Sequence, residues 1–166
     1  MGISIQGSSG SDAHAGSSTS ADPAKVSRLV NYAWFLEDAR RDYDRAEEMY
    51  RRAIKADPDH ADGLGNYARF LHVVRGDSDR AEAMYERAIK ADPDQGLNLS
   101  NYAWFLENVR HDYDRAEAMY ERAIEADPNN AKNLGNYANF LKNVRHDYDR
   151  AEEMYERAVE ADLNHG

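Results

Sequence analysis

The sequence predicts an all-α solenoid, four helical hairpins of one kind stacked end to end. Three observations carry that prediction. Residues 26–165 repeat with a period of 35, and 18 of the 35 positions hold the same residue in all four copies. Within each copy, apolar residues recur three and four apart in two separate runs, as they do on one face of an α-helix. A polar turn separates the runs, and each copy closes on Ala-Asp, at Asp57, Asp92, Asp127 and Asp162. A fixed period of this length marks a stacked repeat, in which each unit buries its apolar face only against its neighbours.

Residues 1–25 precede the first full pattern. Gly2 to Ala21 is rich in Ser and Gly without apolar periodicity, which predicts a disordered tail, linker or tag. It has neither the basic start nor the apolar run of a secretory signal. The units then run 26–60, 61–95, 96–130 and 131–165.

In the second unit, Leu64, Tyr67, Ala68, Leu71 and Val74, with Phe70 beside them, form the first stripe. Arg75-Gly76-Asp77-Ser78 supplies the turn. Asp79 and Glu82 have the spacing of a capping box, which would start the second helix there. Ala81, Met84, Tyr85, Ala88 and Ile89 form the second stripe, and Asp92-Pro93 stops it, because proline lacks a donor and restricts its predecessor. Small residues at Ala68 and Ala88, and at their counterparts in every unit, let the helices approach and admit rings from the next unit.

The formal charge of −10 disfavours nucleic acid, which requires a basic face, and an anionic membrane surface. No stretch approaches the ~20 apolar residues of a membrane span. The absence of cysteine excludes disulfides and thiolate chemistry and is compatible with a cytoplasmic setting. No pattern resembles a nucleophile with its base or a phosphate loop, so the expectation is neither enzyme nor cofactor. His111-Asp112 and His146-Asp147 repeat one turn position, but helical layers about 10 Å apart are too far for both imidazoles to reach one metal.

These residues resemble the tetratricopeptide repeat. Ala68, Ala81, Ala88 and Pro93 take that motif's small residues and terminal proline, and Leu64, Tyr67, Leu71 and Tyr85 its large partners. The likeness covers Val26 to His165, with a unit of 35 rather than 34 residues; the extra residue is most simply placed in the turn. The resemblance implies a right-handed superhelix whose first helices line a concave groove, holding a protein or peptide segment. Groove residues would then be the ladder Asn31, Asn66, Asn101 and Asn136, and one turn along Trp34, Arg69, Trp104 and Asn139, followed by Glu37, His72, Glu107 and Lys142.

Two readings of the ladder stay open: its amides pair with a peptide backbone, or they contact the next unit. Trp34 and Trp104 sit where the copies differ, so the repeat core does not demand them; exposed, they would anchor a partner, and otherwise they pack on adjacent helices. Family members that hold a peptide's terminal carboxylate use Lys, Asn, Asn, Lys and Arg at places held here by Val30, Trp34, Asn66, Leu97 and Asn101. Only Asn66 fits, so no such clamp is expected. The Arg and Glu positions, Arg45, Arg80, Arg115 and Arg150 among them, predict ion-pair ladders worth at most ~1 kcal/mol each. No polar cap follows the fourth unit, so Tyr137, Leu141, Met154 and Tyr155 are expected to be partly bare. That predicts a second behaviour, head-to-tail self-association of nearly identical ends, the alternatives being a fragment of a longer array or an engineered repeat.

Overall fold

The computed structural model describes residues 22–165. Four antiparallel helical hairpins follow one another, pairing α1 (Pro23–Asp38) with α2 (Tyr43–Ala56), α3 (Ala61–Val73) with α4 (Ser78–Ala91), α5 (Gly96–Phe105) with α6 (Tyr113–Ala126), and α7 (Ala131–Phe140) with α8 (Tyr148–Leu163). A π-helical turn continues α5 over Leu106–Arg110 and α7 over Leu141–Arg145. Successive first helices pack on one another, and each second helix reaches the first helix of the next unit. The result is a right-handed superhelical solenoid of four hairpins.

Helix α1 begins earlier than the sequence suggested. Asp22 caps it by accepting from Ala24 N–H at 3.0 Å, and Pro23 occupies the first turn, so Pro23–Lys25 are helix rather than tail. The remainder of the predicted tail, residues 1–21, lies outside the described residues.

The second helices also start earlier, which corrects the capping-box reading. Asp42, Asp77, Asp112 and Asp147 are the caps, each accepting the backbone N–H three residues on. Asp79 instead lies in the first turn and pairs with Arg110 of the next unit at 2.7 Å. The aspartate two residues earlier wins because the chain leaves the αL turn there with its side chain already facing the free N–H groups.

That turn is left-handed in every unit. Arg41, Gly76, His111 and His146 all have positive φ, 56°, 66°, 57° and 56°. After each, an aspartate N–H donates six residues back, to Leu36, Leu71, Leu106 and Leu141 carbonyls at 2.9–3.0 Å. His111 and His146 thus hold the turn's left-handed position.

The core is a column of tyrosine and phenylalanine. Tyr50 stacks on Tyr67 of the next unit at 5.8 Å, Tyr85 on Tyr102 at 5.5 Å and Tyr120 on Tyr137 at 6.0 Å, with Phe70, Phe105 and Phe140 against them. Each fully buried ring contributes about 2–3 kcal/mol, and each ring pair about 1 kcal/mol more. The predicted ion-pair ladders cross the same boundaries: Arg75 reaches Asp44 and Glu47, Arg110 reaches Asp79 and Glu82, and Arg145 reaches Asp114 and Glu117, all at 2.6–2.8 Å.

The far end departs from expectation. Tyr137, Leu141 and Met154 are buried, because α7 and α8 close on each other and on α6. The bare apolar residues there are Tyr148, Val159 and Leu163, with Tyr155 half-buried. Helix α8 runs to Leu163, two residues past the place where its counterparts stop at Asp-Pro, which shows that the proline ends the others.

Candidate functional site

The residues expected to line the groove lie on the first helices, next to the core stripe. Those at the places of Trp34 and Glu37 take part in three clusters, each different.

At the first boundary Trp34 is 45% exposed, and the Arg69 guanidinium of the next unit lies 4.4 Å from its ring centroid. Arg69 Nη2 donates to both Glu37 carboxylate oxygens at 2.7 Å, and Glu37 also accepts from Tyr50 O–H at 3.0 Å. Tryptophan, arginine, glutamate and tyrosine therefore form one continuous cluster.

At the second boundary Trp104, 47% exposed, lies 5.9 Å from the His72 ring of the preceding unit. His72 Nε2 is 3.2 Å from Tyr85 Oη, and its ring meets Phe105 edge-on. Burial, with the Arg69 charge adding to it, pushes the imidazole down to about 4, so the ring is neutral at pH 7.

At the third boundary Tyr120 O–H donates to Glu107 at 2.7 Å. Burial pushes the Glu107 carboxyl above its ordinary range, with the Tyr120 hydrogen bond opposing. Asn139 of the fourth unit accepts from the Tyr155 hydroxyl.

The asparagine ladder is not uniform. Asn31 is exposed, and Asn101 is half-buried. Asn66 donates to the Asp62 carbonyl of its own helix at 2.8 Å, and Asn136 donates to Ser100 Oγ of the preceding unit at 3.2 Å. Of the places a carboxylate clamp would use, Val30 is buried and Leu97 is 52% exposed.

Sequence reasoning missed the tyrosines at position 25 of the unit, Tyr50, Tyr85 and Tyr120, whose hydroxyls hold the variable residues Glu37, His72 and Glu107. Their presence in every copy was the available signal, but packing alone also accounts for it. Val73 and Leu97, on the first helices of the second and third units, are also more than half exposed. Among the described residues no group of three or more His, Cys, Asp or Glu is placed to hold a metal. No helix among them is long and apolar enough to cross a membrane.

A tetratricopeptide-repeat family model matches residues 36–96 and 71–131. The chain belongs to the tetratricopeptide-repeat family. A second such model, for the TPR repeats of TmcB, matches 106–165. No curated protein matches this tetratricopeptide-repeat chain. Among solved structures, a crystal structure of MamA is 16% identical with a TM-score of 0.69, covering 87% of this chain and 82% of that one. The first TPR of Spaghetti (RPAP3), bound to the HSP90 peptide SRMEEVD, is 18% identical with a TM-score of 0.59, covering 86% and 97%. These likenesses are likenesses of fold.

Proposed function

We propose that this chain is a non-catalytic protein-interaction module that holds a segment of a partner in the groove lined by α1, α3, α5 and α7. One observation carries the reading: Trp34 and Trp104, on first helices, keep nearly half their surface exposed, at a position where the other units have Arg69 and Asn139. Large indoles that the core does not use are costly to leave in water and suit an anchor for a partner. The peptide-bound repeat of RPAP3 is a precedent for the use of this fold, but its peptide is acidic. Glu107, whose side chain bonds only to Tyr120 among the described residues, and the apolar surface of the two indoles favour a basic or apolar segment.

The test uses a peptide selected on the full chain from a random-peptide library. Changing both Trp34 and Trp104 to Ala lowers its affinity by about tenfold or more, with helicity unchanged. Unchanged affinity removes both residues from the site.

A second reading, self-association, rests on the complementary ends. Every internal boundary joins a tyrosine pair and an arginine–carboxylate ladder. Tyr32, Arg40 and Arg45 at one end correspond to Tyr67, Arg75 and Arg80, while Asp149, Glu152, Tyr155 and Glu156 at the other correspond to Asp44, Glu47, Tyr50 and Arg51. A second copy set end to end would rebuild the boundary. Sedimentation decides: a mass rising with concentration, and returned to about 18.9 kDa by Arg45→Glu, supports it. A constant 18.9 kDa for the unaltered chain refutes it.

A further inference from the structure

We propose that Trp104 and Glu107 form a guanidinium site, which takes an arginine side chain of the segment held in the groove. The proposal rests on the groove reading above and names the chemistry of one contact within it.

The molecule contains its own template. At the first boundary Trp34, Glu37 and Tyr50 surround the Arg69 guanidinium, which lies 4.4 Å from the indole centroid and 2.7 Å from both carboxylate oxygens. At the third boundary the same unit positions hold Trp104, Glu107 and Tyr120, with Asn139 in the place of Arg69. Three of the four residues are identical, and the tyrosine–glutamate hydrogen bond recurs, 3.0 Å in the first case and 2.7 Å in the third. The exchange removes only the cation.

Asn139 cannot replace it, since its amide is neutral and its oxygen accepts from Tyr155. Lys142 stands at the position of Glu107 one unit on; among the described residues the groups acting on the Glu107 carboxyl include Tyr120 and no cation. His72 approaches Trp104 from the preceding unit, whereas Arg69 reaches Trp34 from the following one. In the fourth unit the place from which Arg69 reaches Trp34 belongs to Asn139. The half-buried carboxyl, held above its ordinary range by burial, is what a partner cation would relieve.

Arginine fits better than lysine. A planar guanidinium stacks on an indole and forks both oxygens of a carboxylate, whereas an ammonium is a point charge. The second boundary has no such site, because His72 stands where the carboxylate would be.

The test is an NMR titration of the full chain with acetyl-Gly-Arg-Gly-amide and with its citrulline counterpart, which keeps the shape and loses the charge. The Trp104 indole N–H resonance, assigned with Trp34→Phe, is expected to shift saturably with the arginine peptide, and about tenfold more weakly with citrulline. Glu107→Gln, nearly isosteric, is expected to weaken arginine binding by a similar factor. Asn139→Arg is expected to fill the site from within, abolishing the response and moving the Trp104 resonance toward that of Trp34. A Trp104 resonance indifferent to the arginine peptide, an equal response to citrulline, or binding unaffected by Glu107→Gln overturns the proposal. If library-selected peptides still require Trp34 and Trp104 in that event, the groove reading stands without the arginine site. If they require neither tryptophan, the groove reading itself falls.

Discussion

Glu37, His72, Glu107 and Lys142 share one position of the unit, yet each meets a different neighbourhood. Glu37 has Arg69, His72 has Tyr85 and an aromatic shelf, and Glu107 has only Tyr120. His72 makes stability depend on pH. Its folded form titrates at about 4, below the ordinary value near 6.5, so between those values the unfolded chain binds more protons. The contribution is complete above about pH 6.5 and is lost as pH falls toward 4. Discounted for the ring's partial exposure, the loss is about 1–2 kcal/mol. Urea unfolding at pH 7 and pH 4.5 should show that difference, and His72→Gln should reduce the pH dependence by the same amount. Variation between copies marked these positions in the sequence. What each one touches was not legible, because the deciding partner arrives from another unit, as Arg69 does for Glu37 from 32 residues away.

For the elements, periodicity located every helix, and the proline and aspartate signals located the ends of α2, α4 and α6. The starts of the second helices were harder. Several aspartates compete for each cap, and only the αL turn before them decides which one faces the free N–H groups. The turn carries a prediction of its own. A non-glycine residue in the left-handed region costs about 1 kcal/mol or more, so His111→Gly should stabilise the chain by up to about 1 kcal/mol and Gly76→Ala should destabilise it similarly. A shift in the urea midpoint at constant m would measure both. Gly65 is small for a different reason: a Cβ there would collide with the Asn98 amide of the next unit, itself donating to the Ala61 carbonyl at 3.0 Å. Gly65→Ala should therefore cost about 1–3 kcal/mol. Gly135, its counterpart in the fourth unit, has nothing within 4 Å, and Gly135→Ala should stabilise by about 0.5–1 kcal/mol. The sequence shows two like glycines; only the neighbouring unit separates them.

Across the whole molecule, nearest-neighbour packing explains how four similar units make one object with two unlike faces. Rings and ion pairs repeat at every boundary and set the stack, while positions such as those of Trp34 and Glu37 on the first helices vary. The same logic explains the mistaken end: a hairpin buries most of its own stripe, so Tyr137 and Leu141 are covered by α6 and α8 without any further unit. The claim that the inner face is the binding surface is tested most directly by mapping the library-selected peptide onto the isotope-labelled chain by NMR. Shifts should concentrate on α1, α3, α5 and α7, with the Trp34 and Trp104 indoles among the largest. Shifts centred on the outer surfaces of α2, α4 and α6, or on the two ends of the stack, would contradict it.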